Sequence, residues 1–227
     1  MPPLRFAALA SGGGSNLQAI LDKIQSGDLA AVPAFVASNN SQSQALERAR
    51  RAGIPSFHVS AKTEGSEISA AARIIRLLDE HAPDLLVLAG YMKKVQDALL
   101  NRMRNRVLNI HPALLPAFGG EGFYGHKVHE AVVRRGCQYT GMTVHVVNGE
   151  YDAGQILLQR VVVVPGGSDV DAVAARVLSK EHDSYWRVLR GFAEGDLVAT
   201  ESADPAAAVR VNPDWLRRMR ALDGGPT

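Results

Sequence analysis

Short apolar runs alternate with segments of helical spacing along the first half of the chain. The apolar runs predict four strands, from Leu4 to Ala10, Val32 to Ala37, Leu85 to Ala89 and Val107 to Ile110. The segments between them repeat apolar residues every three or four positions, which predicts helices carrying Leu17 to Ile24, Gln44 to Ala52 and Ile68 to Leu78. Because strands that alternate with helices pair through βαβ crossovers, we expect an open α/β sheet.

The pattern changes after His111. A glycine-rich loop covers residues 113–125, and a helix is predicted from Lys127 to Arg135. Two further apolar runs, Thr143 to Val147 and Ile156 to Val164, predict strands that follow one another without a helix between them.

A long helix and a distinct tail complete the chain. Ser168 and Asp171 have the spacing of a capping box, so the helix is expected to begin beside them. The tail from Glu201 to Thr227 is rich in alanine, proline and glycine around an amphipathic patch near Trp215. We therefore expect one domain over residues 1–200 and a C-terminal appendage over residues 201–227.

Composition narrows the class of protein. With 227 residues, 46% of them apolar, the chain can bury a sizeable core. A net charge of +2 indicates no nucleic-acid partner, and no run approaches the roughly 20 apolar residues that span a bilayer. Cys137 is the only cysteine, which excludes an internal disulfide and favours a reducing compartment. These features predict a soluble, cytoplasmic protein.

A turn of small residues, Ser11 to Asn16, joins the first strand to the first helix. Backbone N–H groups at such a turn, with the helix N-terminus behind them, form a site for anions. Leu17 stands where a dinucleotide fingerprint needs its third glycine, and no Lys-Ser/Thr of a Walker A loop follows. A turn without a ligand is the alternative. The pattern favours a site for a phosphate monoester, with Ser15 as a further donor.

Two polar residues interrupt the fourth predicted strand near its carboxyl end. Asn109 and His111 alternate with apolar neighbours, so both side chains project from one face. Ligands of open α/β sheets bind at this end of the strands. An amide beside an imidazole suits acyl transfer, because the amide donates to a developing oxyanion while the imidazole donates or shuttles a proton. Taken alone, such a histidine is more often a structural residue.

An acidic loop, Asn148 to Gly154, lies between the last two predicted strands. An ordinary turn is one interpretation. If the carboxylate of Asp152 lay against His111, it would raise the pKa of the imidazole and position a proton.

Other chemistry has weaker support. His126 and His129 stand three residues apart on a predicted helix, but no third metal ligand is evident, so no metal is expected. Ser15 lacks the second glycine of a G-x-S-x-G nucleophile elbow. Cys137 has no base near it in the sequence and is not expected to be a nucleophile.

In order along the chain, these segments resemble the phosphoribosylglycinamide formyltransferase family. The matching motifs are SGGGSNLQAI (11–20), APDLLVLAGYM (82–92), LNIHPALLP (108–116), GMTVH (141–145) and YDAGQIL (151–157), followed by Glu181 and His182. Each motif is modest alone, but together they keep compatible order and spacing from about residue 5 to residue 200. The resemblance implies a Rossmann-like formyltransferase fold, with a mostly parallel central sheet flanked by helices and antiparallel strands toward the C-terminus.

The resemblance also implies an activity. Residues 1–200 would form a catalytic domain that transfers the formyl group of 10-formyltetrahydrofolate to the amine of glycinamide ribonucleotide in purine synthesis. Asn109 and His111 would stabilise the tetrahedral oxyanion. Asp152 would keep His111 protonated and help proton transfer to the departing folate nitrogen.

Binding residues follow from the same motifs. The phosphate of glycinamide ribonucleotide would be held by Gly14, Ser15 and Asn16, and Glu181 would contact the same substrate. The folate pocket would be lined, largely through backbone groups, by Met92, Lys93, Lys94 and Val95, with Asn109 also contacting the folate.

Several positions depart from the family pattern. Ala113 replaces a usual serine, and Lys93 replaces a common arginine. Glu67 is the approximate counterpart of an arginine that binds folate, so no folate contact is expected near residues 64–67. The loop from Phe118 to Gly125 is longer and richer in glycine, which leaves its contacts unassigned.

Other functions remain open at this point. Methionyl-tRNA formyltransferase and formyltetrahydrofolate deformylase share the Asn-x-His and Asp elements. The former carries a basic C-terminal domain and the latter usually an N-terminal regulatory domain, whereas this chain begins with the catalytic strand and ends in a short tail. A non-catalytic phosphate-binding module is the alternative from another class. Both a monomer and a homodimer are compatible with the sequence.

Overall fold

A seven-stranded sheet forms the centre of the structure, a computed structural model that describes residues 2–222. The strands lie in the order β3-β2-β1-β4-β5-β6-β7. Strands β1 to β5 pair in parallel, whereas β6 is antiparallel to both β5 and β7. The predicted fold is therefore confirmed. The strands are β1 (Leu4–Ala10), β2 (Ala31–Ser38), β3 (Ser56–His58), β4 (Leu85–Leu88), β5 (Val107–His111), β6 (Tyr139–Val146) and β7 (Ile156–Val163).

Helices cover both faces of this sheet. Alternate residues of β1 enter two separate hydrophobic cores: Phe6 and Ala8 join the core beneath α1, α2 and α7, and Ala7 and Leu9 join the core beneath α4 and α5. This alternation explains the continuous apolar runs in the sequence, since parallel strands are buried on both sides. The helices are α1 (Ser15–Gln25), α2 (Gln44–Arg51), α3 (Ala61–Glu64), α4 (Glu67–His81), α5 (Asp97–Arg102), α6 (His126–Arg134), α7 (Val170–Ala193) and α8 (Pro213–Ala221).

The boundaries of the predicted elements lie within a few residues of the observed ones, with two kinds of exception. The short elements β3, α3 and α5, and two three-residue strands after α7, were not predicted, because too few residues carry their periodicity. The predicted start of the long helix was wrong by one residue: Asp169 caps α7 and its carboxylate accepts from Ala172 N–H at 2.6 Å. The hydroxyl of Ser168 instead donates to the carbonyl of Pro165.

The tail packs against the rest of the chain through residues as far as Met219 on α8. Strand β8 (Leu197–Ala199) pairs with β9 (Val209–Val211), and Trp215 on α8 is buried in the main core. The side-chain amide of Gln155 donates to the carbonyl of Val209 and accepts from its N–H, at 2.9 and 2.7 Å. The division between residues 1–200 and 201–227 stays a prediction, and residues 223–227 lie outside the described part. Over residues 2–222, no helix has the length and apolar character needed to cross a membrane.

Candidate active site

A cavity of about 700 Å³ opens at the carboxyl ends of β4 and β5. Asn109 and His111, which end β5, line this cavity, as does Asp152 from the loop between β6 and β7. This is the edge at which open α/β sheets bind their ligands. The structure thus brings together the three residues that the sequence singled out from separate segments.

Asp152 lies between two histidines. Its Oδ2 is 3.5 Å from Nδ1 of His111, and its Oδ1 is 3.5 Å from Nε2 of His145. The backbone N–H of Gly120 also donates to Oδ2, at 3.0 Å. Asp152 has a φ of 53°, in the left-handed region that aspartate enters more readily than most residues.

Sequence reasoning missed His145 as a site residue. Antiparallel pairing places it directly opposite Asn109, and Nδ2 of Asn109 is 3.1 Å from its Nε2. The Nδ1–H of His145 donates to the carbonyl of Val146 at 3.0 Å, so in the neutral ring Nε2 accepts from Asn109. One N–H of the Asn109 amide is thereby held, and the other remains available to the cavity. His145 ends the GMTVH motif, which could have marked it as a site residue. The motif does not reveal, however, that β6 pairs with β5.

The pKa values of His111 and Asp152 are both lowered. Burial lowers the pKa of His111, and this effect exceeds the opposing influence of the Asp152 charge and of the Phe118 carbonyl. Burial raises the pKa of Asp152, but the proximity of His145 and His111 and the hydrogen bond from Gly120 N–H more than offset it. At neutral pH the resting site therefore contains an ionised Asp152 and a largely neutral His111. Burial thus opposes the protonated form of His111, which the charge of Asp152 favours.

The glycine-rich loop covers both of these residues. The Nε2–H of His111 donates to the carbonyl of Phe118 at 2.8 Å, while the N–H of Gly120 holds Asp152. Gly120 and Gly122 have φ values of +93° and +87°, which residues with a side chain rarely adopt. The loop therefore occupies the imidazole donor that a substrate oxygen would need.

The turn after β1 has the features of an anion site. The carbonyls of Gly12 and Gly13 accept hydrogen bonds from α2 and the residue before it, and that of Gly14 accepts from Gln18 N–H. The N–H groups from Gly12 to Leu17 have no acceptor among the described residues, and no side chain caps α1. Free N–H groups at a helix N-terminus attract phosphate. Gly14 and Ser15 lie just outside the cavity wall, whereas Asn16 lines it.

Asn16 connects this turn to α7. Its Nδ2 donates to Oε2 of Glu181 at 2.8 Å, whereas its Oδ1 is buried without a partner among the described residues. Burial raises the pKa of Glu181 to about 7, although the hydrogen bond from Asn16 opposes the shift. A carboxyl group and an unpaired amide oxygen at the cavity wall both suit hydroxyl donors of a ligand.

The segment after β4 forms the opposite wall. Met92, Lys93, Lys94 and Val95 all line the cavity. The hydroxyl of Ser11 accepts from Met92 N–H at 2.8 Å, which fixes this wall to the anion turn. The ammonium of Lys94 lies 5.4 Å from the ring centre of Tyr151, a cation–π contact at the cavity edge.

The structure also accounts for three departures from the family pattern, at Lys93, Glu67 and Ala113. Lys93 and Glu67 both replace an arginine of the family pattern, and they form an ion pair with one another at 3.1 Å. Ala113 is fully buried, and its carbonyl accepts from the hydroxyl of Thr143 at 2.6 Å. A serine hydroxyl at this position would need a partner of its own in the core.

No group of three potential metal ligands occurs among residues 2–222. His126 bonds with Asp171 at 2.8 Å and with Glu130 at 3.3 Å, and its ring lies edge-on to His129. The expectation that no metal takes part stays a prediction.

Comparison with known proteins agrees with this geometry. A family model described as formyl transferase matches residues 4–189. A chloroplastic phosphoribosylglycinamide formyltransferase of Arabidopsis thaliana is 38% identical over 92% of this chain and 72% of its own length. Glycinamide ribonucleotide transformylase 1 from Symbiobacterium toebii superposes with a TM-score of 0.81 at 39% identity, over 88% of this chain and 92% of that one. A formyltetrahydrofolate deformylase from Pseudomonas syringae has a TM-score of 0.77 at 30% identity, over 88% of this chain and 64% of that one.

Proposed function

We propose a function for this chain, which belongs to the formyl transferase family. It transfers the formyl group of 10-formyltetrahydrofolate to the amine of glycinamide ribonucleotide, a step of purine synthesis. The observation that carries this proposal is one cavity with an acyl-transfer group at its base and an anion turn at its edge. The names of the relatives point to the same acceptor.

The cavity residues divide between the two substrates. The N–H groups of the turn at Gly14 and Ser15 bind the phosphate, and Asn16 with Glu181 receives the sugar hydroxyls. The wall from Met92 to Val95 holds the folate. This assignment places the amine and the formyl group beside Asn109 and His111.

The reaction then uses the chain's own donors. The amine attacks the formyl carbon, a C–N bond forms, and the carbonyl oxygen becomes a tetrahedral oxyanion. The free N–H of Asn109 and the Nε2–H of His111 stabilise that oxyanion; a neutral imidazole donates this hydrogen bond, although one from an imidazolium is stronger. The C–N10 bond then breaks, and the proton lost by the amine passes to N10 of the folate with the help of the Asp152 carboxylate. The Phe118 carbonyl must release His111 before this donor is available.

A coupled assay tests the proposal. Purified protein with both substrates should form formylglycinamide ribonucleotide and tetrahydrofolate in equal amounts. Tetrahydrofolate release that continues at the same rate without the amine substrate would contradict the proposal and identify a deformylase, in which water replaces the amine. Formylation of charged initiator tRNA in place of the ribonucleotide would identify the tRNA enzyme, and phosphate binding with neither reaction would identify a non-catalytic module.

The proposal extends to the cellular location and the oligomeric state of the protein. A cytoplasmic location is supported by the single, unpaired Cys137, which suits a reducing compartment. A monomer and a homodimer remain the two predicted states, which sedimentation would distinguish.

A further inference from the structure

Arg48 on α2 reaches the anion turn from the side of its carbonyl groups. Its Nε donates to the carbonyl of Gly13 at 2.9 Å, and its Nη1 donates to Oε1 of Gln18 at 2.9 Å. Two planar N–H groups of one guanidinium therefore connect the turn with the first helical turns of α1 and α2. Arginine suits such a position because its donors are fixed in one plane.

Helix α2 also sets which way the turn faces. The carbonyl of Gly12 accepts from the hydroxyl of Ser43 at 2.8 Å and from Ala45 N–H at 3.3 Å. A Cβ on Gly14 would lie 2.7 Å from the Cβ of Ala45, so the turn packs directly on α2. With the carbonyls of Gly12 and Gly13 directed toward α2, the N–H groups are left for a ligand.

The charge of Arg48 differs from that of its neighbours. Both of its hydrogen-bond partners are neutral, and within residues 2–222 it forms no ion pair, whereas Arg50 and Arg51 are paired with Glu47. The carboxylate of Asp22 on α1 accepts a hydrogen bond from Gln18. From α7, burial lowers the pKa of His182, and the positive charge of Arg48 lowers it further. Within the described residues, the positive charge of Arg48 therefore lies behind the free N–H groups without a directly paired carboxylate, and Gln18 links it to Asp22.

A second observation marks a ligand at the same place. The amide oxygen of Asn16, a residue 8% exposed at the cavity wall, has no hydrogen-bond partner among the described residues. A buried acceptor left unpaired requires a donor. A hydroxyl beside an anion, as on a sugar phosphate, supplies that donor while the turn binds the anion.

We infer that Arg48 is the residue that makes the site selective for a phosphorylated acceptor, by adding its charge to the turn and holding the turn's N–H groups toward the phosphate. The inference rests on the proposed function for the identity of the acceptor. Arg48 acts through the turn, so it is a positioning residue and has no part in formyl transfer itself.

The test compares Arg48→Gln and Arg48→Lys with Arg51→Gln, a change to an exposed arginine of the same helix that is paired with Glu47. Binding of inorganic phosphate is measured by calorimetry, and KM is measured for each substrate. Arg48→Gln should weaken phosphate and raise KM for glycinamide ribonucleotide by about five- to tenfold, the size expected for one unit charge several ångströms away in a partly solvated site. Arg48→Lys keeps the charge but loses the pair of planar donors, so its KM should lie between those of wild type and Arg48→Gln.

Two controls separate this effect from general damage. For Arg48→Gln, kcat and the KM for the folate should change by less than about twofold, and Arg51→Gln should match wild type throughout. Equal losses for both substrates, or wild-type phosphate binding in Arg48→Gln, would overturn the inference. If Arg48→Gln fails to fold, Arg48→Met removes the same charge and keeps the apolar stem.

Phosphate binding also distinguishes the two proposals. Phosphate bound by wild type and lost in Arg48→Gln supports the role of Arg48 even if glycinamide ribonucleotide proves not to be the acceptor. A wild-type protein that formylates the ribonucleotide while Arg48→Gln keeps the same KM sustains the function and rejects the inference.

Discussion

His145 shows how one buried side chain sets the chemistry of its neighbours. Its Nδ1 is committed to the Val146 carbonyl, and this leaves Nε2 as an acceptor for Asn109. The same nitrogen lies 3.5 Å from Asp152, which contacts His111 through its other oxygen. The orientation of Asn109 and the charge of Asp152 therefore depend on the whole network of Asn109, His111, His145 and Asp152.

Removing either member of the central pair should abolish most turnover. We expect His111→Ala and Asp152→Asn each to lower kcat by about 10²- to 10⁴-fold, because one loses an oxyanion donor and the other a carboxylate that assists proton transfer. The KM for both substrates should change little, since the anion turn and the folate wall are untouched. Steady-state kinetics measures both, and near-normal rates would reject the assigned roles.

Glu181 should make stability depend on pH. Burial raises its pKa from 4.5 to about 7, so folded Glu181 keeps a proton that the unfolded chain releases between these pH values. Its contribution is fully present below pH 4.5 and is lost as the pH rises through 7. Glu181→Gln should therefore equal wild type near pH 4.5 and exceed it by up to roughly 3 kcal/mol at pH 8.

Urea unfolding at the two pH values measures this difference. The variant should also raise the KM for the acceptor, because the neutral amide replaces a group that receives hydroxyls. A gain in stability at pH 8 together with weaker acceptor binding would show that the site holds this carboxyl group at the expense of stability. The same stability difference at both pH values would contradict the assigned pKa.

At the scale of elements, the glycine-rich loop was the least predictable part of the site, although it makes direct hydrogen bonds to two of the three central residues. Phe118 and Gly120 hold His111 and Asp152 through a backbone carbonyl and a backbone N–H, which all residue types except proline possess in common. The composition of the loop therefore indicated only that unusual φ values were needed. Which residue each backbone group would contact depended on the packed loop.

Gly120→Ala should impair turnover through this contact. Its φ of +93° is strained for alanine, so the N–H that holds Asp152 should be displaced and kcat should fall by about tenfold. Gly136→Ala is the matched control, since Gly136 has a φ of +65° with equally open surroundings at the end of α6. Both changes should lower the free energy of unfolding by about 1–2 kcal/mol. Equal kcat values in the two variants would remove the loop from the mechanism.

At the scale of the whole molecule, the tail is part of the hydrophobic core. Trp215 is buried in the main core, and its Nε1 packs close to Gly191 of α7, where Leu197 of β8 also lies. The apolar side of the amphipathic patch predicted near this residue thus packs against the core. The described part of the tail contributes stability without lining the cavity.

Trp215→Ala should destabilise the fold and leave catalysis unchanged. Truncating a buried tryptophan lowers the free energy of unfolding by about 3–5 kcal/mol. The KM and kcat of the remaining folded protein should stay within about twofold of wild type, because no residue of α8 lines the cavity. A single urea transition at lower midpoint would show one cooperative unit, whereas two transitions would show that the tail unfolds separately.

The sequence by itself determined the order of the main elements and the three residues that line the base of the cavity. Apolar periodicity reports burial directly, and strand alternation places Asn109 and His111 on one face wherever the strand lies. The turn from Ser11 to Asn16 could also be predicted from the sequence, because its glycines are required by local backbone geometry.

Only the tertiary structure decided which distant groups meet. His145 came to Asn109 through strand pairing, Arg48 came to the turn through helix packing, and the Phe118 carbonyl came to His111 through a folded loop. Burial, which lowers the pKa of His111 and raises that of Glu181, is also a property of the assembled core. Local sequence specifies conformation over a few residues, whereas contacts and desolvation depend on segments far apart in the chain.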